Sequence, residues 1–135
     1  MSAAKKCPLE HDEQVEVIRW FRAMADRFNV EPEMLFAIPN GGLRHPATAK
    51  RLVDEGVVAG VADLFLAVPT TAAFGLWIEM KRQRGGSQKP EQKLFEQRMR
   101  ARGYEYVLCR GAAAAIEAIE QYLTRSASRA KNANE

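Results

Sequence analysis

The sequence predicts an α/β protein in which helices cover a mixed central sheet, with the element order αβαββαβα. Three observations carry this. Short apolar runs bounded by Gly or Pro, at 34–38, 63–68, 76–81 and 104–109, have the length and punctuation of strands. Between them lie longer segments whose apolar residues recur every three or four positions, as in amphipathic helices. Helix and strand patterns alternate along the chain, except where two strands follow one another directly, and such alternation builds a sheet covered on both faces.

Residues 1–8 read as a loose tail. Pro8 suits a first helical turn, and Glu10, Asp12 and Glu13 complement the positive end of a helix dipole. Val17, Ile18, Phe21, Met24, Ala25 and Phe28 form a helical stripe reaching about Arg27, which leaves Trp20 on the exposed side. Glu13 stands one turn before Val17, so it either serves the dipole or points inward with the stripe. The strand at 34–38 ends in Pro39-Asn40-Gly41-Gly42, residues that tolerate the positive φ of tight turns. That segment is a plain turn, or a loop whose backbone N–H groups and Arg44 approach phosphate. His45-Pro46 opens a second helix, 47–55, decorated by Lys50 and Arg51 and stopped by Gly56. His11 and His45 have no partner at metal-ligand spacing and read as surface residues.

The strands at 63–68 and 76–81 are close enough in sequence to pair antiparallel, which brings Asp63 near Glu79. Side chains on a strand alternate, so Glu79 and Lys81 share one face while Ile78 and Met80 take the other. Two carboxylates and an ammonium at one sheet edge are costly without compensation, and a divalent cation is the natural compensator. A polar, basic, mobile loop follows at 82–89, and Pro90 begins a third helix. Its inward side is assigned Leu94, Phe95 and Met99, with Gln92 in the first turn. The strand at 104–109 and a helix at 112–123 close the domain, and 124–135 has the composition of a disordered tail.

Charge and composition narrow the function classes. At 135 residues, 27% charged and 47% hydrophobic, the chain has the make-up of one globular domain with a true core. No apolar run approaches a membrane span. Cys7 and Cys109 lack metal-type spacing, so a reduced cytoplasmic setting is expected. The net charge of +3 is unevenly spread: from Lys81 to Arg102 there are eight basic residues against two acidic ones. This surplus attracts a polyanion, although Arg98, Arg100 and Arg102 equally suit a solvated helix face.

Five stretches together resemble the virus-type replication-repair nuclease (VRR-NUC) domain of the PD-(D/E)xK superfamily. They are Glu13-Gln14, Ile38-Pro-Asn-Gly-Gly-Leu-Arg44, Glu55-Gly-Val-Val-Ala-Gly-Val-Ala-Asp-Leu64, Ile78-Glu-Met-Lys81 and Pro90-Glu-Gln92 with Phe95 beyond. The resemblance spans residues 9–123 and implies a stand-alone member with a restriction-endonuclease-like core. One departure is Ala62, where the superfamily carries a proline before the acidic residue. The resemblance implies a Mg²⁺- or Mn²⁺-dependent DNA endonuclease with no organic cofactor. Asp63, Glu79 and the Met80 backbone carbonyl would hold the ion, and Glu13 would extend the shell or serve a second ion. Lys81 would orient the attacking water or stabilise the transition state, and Gln92 would position the lysine, the water or the phosphate. Asn40, Gly41, Gly42, Arg44, Lys50, Arg82, Arg84 and Lys89 are the expected DNA contacts. Branched DNA of the Holliday-junction kind, cut by a homodimer, is the expected substrate; flap or single-strand cleavage, or binding without catalysis, are the alternatives. If phage-encoded, the protein would act in the bacterial cytoplasm.

Overall fold

The computed structural model describes residues 6–39 and 45–133, with side chains described as far as Arg125. Helix α1 spans Glu10–Met24 and runs into a 3₁₀ turn, Ala25–Phe28. A second such turn, Pro32–Met34, leads into β1, Leu35–Ala37. Helix α2 is Pro46–Asp54, β2 is Leu64–Leu66, and β3 is Leu76–Lys81. Helix α3, Pro90–Ala101, crosses over to β4, Glu105–Arg110, and α4 covers Ala112–Ala133. The order αβαββαβα is the one expected.

The four strands form one sheet in the order β1-β2-β3-β4. The first two pairings are antiparallel, and β3 pairs with β4 in parallel. A parallel neighbour cannot be reached by a tight turn, so the chain must cross over, and α3 is that crossover. The sheet is therefore mixed, as the hairpin followed by a helix–strand unit demands.

One sheet face carries the core. Leu64, Leu66, Leu76, Ile78 and Met80 are buried with Val17, Phe21 and Ala25 of the first helical segment and Ala112, Ala115, Ile119 and Tyr122 of α4. The alanines of α4 let that helix close on the sheet and on α1. Tyr122, 1% exposed, donates its hydroxyl to the Val68 carbonyl at 2.6 Å. Tyr122→Phe leaves that carbonyl without its donor and is expected to cost about 1–2 kcal/mol in denaturant unfolding. On the other face the rings of Phe65 and Trp77 lie 4.3 Å apart, and Phe95 from α3 meets Trp77 edge-on at 5.0 Å.

Four local expectations are corrected. Trp20 is half-buried, its ring 6.3 Å from Phe21 and 6.2 Å from Phe28, because the aromatic stripe of α1 is wider than the aliphatic one. Leu94 is exposed: the half-buried positions on the inward side of α3 include Gln92, Phe95 and Met99, so a polar residue takes a place in that stripe. Helix α4 continues past Leu123 to Ala133, through a stretch without Gly or Pro that is rich in good helix formers. The loop after β3 is not free, since the Arg110 guanidinium donates to the carbonyls of Arg82, Gly85 and Gly86 at 2.8–3.2 Å. No helix among the described residues is long and apolar enough to cross a membrane.

Candidate active site

The β2–β3 register sets the site. Leu64 pairs with Ile78, and one step further the same register places Asp63 opposite Glu79. The Asp63 carbonyl accepts from Ile38 N–H at 2.9 Å, which ties this corner to β1. Beyond the last paired residue of β2, the Met80 N–H donates instead to Asp63 Oδ2 at 2.7 Å. The strand backbone thus orients the first carboxylate toward the second.

Glu79 is only 3% exposed and Lys81 only 9%. Glu79 Oε1 accepts from Gln92 Nε2 at 3.1 Å and lies 3.6 Å from Lys81 Nζ. Gln92 Oε1 in turn accepts from Lys81 Nζ at 3.2 Å and from the Lys89 backbone N–H at 2.8 Å. A single side-chain amide at the start of α3 therefore binds the acid and the ammonium together. Glu79 Oε2 is buried with no hydrogen-bond partner among the described residues. Burial pushes the Glu79 carboxyl up to about 8, with the Asp63 charge adding to the rise and Lys81 opposing it. Burial also raises Asp63, against the pull of the Met80 N–H.

The first helix contributes two acids with different surroundings. Glu13 is 4% exposed, and its Oε1 accepts from Gln83 Nε2 at 2.8 Å. Its carboxylate fills the space beside Gly111, whose absent Cβ would stand 3.1 Å from Glu13 Oε2. Gly111, at φ +94°, takes the turn from β4 into α4, and its N–H reaches the Lys81 carbonyl at 3.0 Å. Glu10, one turn earlier, is the acid whose charge acts on the pair: its own carboxyl is raised by burial and by Asp63, and it raises Glu79. Sequence reasoning assigned Glu10 only to the helix dipole. Its spacing of three from Glu13, on the same helical face, was the available signal.

A cleft of about 350 Å³ is lined by Asp63, Glu79, Lys89 and Gln92 together with Pro39, Leu52, Val57 and Val61. Of the basic residues named from sequence, Lys89 lies at this cleft. Lys50 is exposed on α2 and paired with Asp54 at 2.9 Å. Arg82 donates to the carbonyls of Cys7 and Pro8, which holds the segment before α1 against the end of β3. Arg84 is exposed. Asn40, Gly41, Gly42 and Arg44 lie outside the described residues. Among the described residues no three acidic, histidine or cysteine side chains converge as a ready ion cage. Asp63 and Glu79 form a two-carboxylate pair.

A solved structure described as a VRR_NUC domain protein has this fold, with a TM-score of 0.73 and 27% sequence identity. The match covers 88% of this chain and 91% of that one. In fold and in sequence the chain is similar to VRR-NUC domain proteins. No family model and no curated protein matches it. The mixed sheet flanked by helices is the restriction-endonuclease-like fold of VRR-NUC proteins. Asp63 stands just before β2, and Glu79, Met80 and Lys81 end the antiparallel neighbour β3, so the two acids and the lysine meet at one end of this strand pair. Ala62, in place of the superfamily's proline, is fully buried, and Leu64 directly after Asp63 still enters the β2 register.

Proposed function

We propose that this VRR-NUC-like chain is a DNA endonuclease that hydrolyses phosphodiester bonds with Mg²⁺ or Mn²⁺. The observation that carries the reading is the Asp63–Glu79 pair, in which Asp63 is half-buried, Glu79 is buried beside Lys81, and Glu79 Oε2 has no partner among the described residues. A raised carboxyl and an orphaned carboxylate oxygen mark a place that positive charge would stabilise, and an all-oxygen donor set suits a hard ion. Asp63 and Glu79 would hold the ion, with the Met80 carbonyl and water completing its shell. When bound, the ion would supply positive charge to the scissile phosphate.

The chain's own groups do the rest. Lys81, held between Glu79 and Gln92, would present its ammonium to the attacking water and the phosphate. It either orients that water or stabilises the charge of the transition state. Gln92 fixes the lysine and leaves Glu79 Oε2 to the cation. Glu10 and Glu13 bring further negative charge from α1, which favours a second ion or a strongly held one. Lys89 at the cleft and the basic stretch from Lys81 to Arg102 attract the DNA backbone.

We read the substrate as branched DNA cut by a homodimer, because a single small domain meets a two-fold symmetric junction most simply as a symmetric pair. Of the two faces available for pairing, α1 lacks the exposed Trp20 expected of it, whereas the α2 region presents Val53 and Val58 exposed. Labelled single-stranded, duplex, flap and four-way DNA, each incubated with Mg²⁺, Mn²⁺ or EDTA, tests the reading. Cation-dependent scission greatest on the four-way substrate is expected. Binding without scission in every cation overturns the catalytic assignment, and preferential flap cutting overturns the substrate.

A further inference from the structure

The contact between Gln92 and the pair Lys81–Glu79 depends on where the first turn of α3 stands, and the segment that enters β2 packs directly on that turn. Gly60 has φ +91°, and a Cβ built on it would lie 2.4 Å from the Glu91 carbonyl oxygen and 3.1 Å from the Gln92 nitrogen. Both partners are backbone atoms of a helix, so no side chain can swing aside to admit a methyl group. Gly56, at the other end of the same link, has an equally left-handed φ of +108° but open space around its missing Cβ. Two glycines thus share one conformational demand, and only one of them also meets a close neighbour.

We propose that Gly60 is a positioning residue for the site. The bare Cα at 60 lets the link before β2 seat against the Glu91 carbonyl, and this seat holds α3 where Gln92 reaches both Lys81 and Glu79. The two halves of the site are thereby registered through backbone: the link leads two residues later into Ala62-Asp63, and the helix turn carries Gln92. Any side chain at 60 drives the turn away from the strand edge. Gln92 then loses its hold on Lys81, and the Lys89 N–H loses its acceptor. The inference rests on the nuclease reading only for its kinetic arm.

The test compares Gly60→Ala, Gly60→Asn and Gly56→Ala in the full chain. Asparagine accommodates positive φ yet keeps the Cβ, so it separates the contact from backbone strain. Amide hydrogen exchange needs no activity. The Lys89 N–H, bonded to Gln92 Oε1 at 2.8 Å, is expected to exchange faster in both Gly60 variants and at the native rate in Gly56→Ala. In cleavage assays, kcat is expected to fall about tenfold or more in both Gly60 variants with KM little changed, since misplacement by about 1 Å can cost about a hundredfold. Gly60→Ala combined with Gln92→Ala is expected to be no slower than Gln92→Ala alone, because both act through one contact. Native Lys89 exchange in the Gly60 variants overturns the proposal. So does an equal loss in Gly56→Ala, or independent losses in the double variant. If the wild type cleaves nothing while Lys89 exchange follows the expected pattern, the nuclease reading fails and the positioning role stands.

Discussion

Lys81→Ala is expected to lower DNA cleavage in Mg²⁺ by about 10³-fold, the scale set by loss of one preorganised group facing transition-state charge. The side chain is buried at the end of β3 and held by Gln92 at 3.2 Å and Glu79 at 3.6 Å. It contributes to no apolar cluster, so the fold and most DNA affinity should survive its removal. Circular dichroism and filter binding check both. Lys81→Arg is expected to rescue little, because a planar guanidinium cannot occupy the place of a compact ammonium between two fixed oxygen acceptors. Wild-type cleavage by Lys81→Ala removes the lysine from the mechanism.

The second large effect concerns stability. Without divalent ions, the melting temperature should fall as pH rises from about 5 to about 8, and Mg²⁺ should restore it at the upper end. Burial lifts Glu79 from 4.5 to about 8, so between those values the folded chain holds a proton that the unfolded chain has released. A carboxyl raised in this sense contributes stability that is complete below the unfolded value and lost as pH climbs through the folded one, at about 1.4 kcal/mol per pKa unit. Glu79→Gln removes the titration. It should melt higher than wild type in EDTA at pH 8 and gain little from Mg²⁺. A wild-type melting point that is flat with pH and indifferent to Mg²⁺ contradicts both the buried charge and the cation site.

Much of this was legible before any coordinates. Gly and Pro punctuation located every strand, and the short break between the second and third strands left an antiparallel pairing, from which Asp63 opposite Glu79 followed. Gln92 was recognisable by its place in the first turn of a helix opened by Pro90. What stayed hidden was set by contacts distant in sequence or ambiguous in period. Leu94 and Phe95 both fit an inward helical stripe, and only the structure shows that the half-buried side runs through Gln92, Phe95 and Met99 and leaves Leu94 exposed. Trp20 was misplaced for a similar reason, since two nearby phenylalanines widen the buried face of α1. The Arg110 clamp joins a strand to a loop 24 to 28 positions away and has no local signature. Glu10 resembled any acid at a helix start until the sheet edge was seen below it.

The hydrogen bonds that knit Asp63, Glu79, Lys81 and Gln92 span only 17, 13 and 11 positions of chain. Closing loops of that length costs less entropy than closing the longer ones that bring up α1, such as the 70-position Gln83–Glu13 contact. The reactive corner is therefore a nearly self-contained hairpin-and-helix cassette. The distant pieces, α1 and α4, supply the weight behind it, so its geometry could be carried to another scaffold as a single continuous insert.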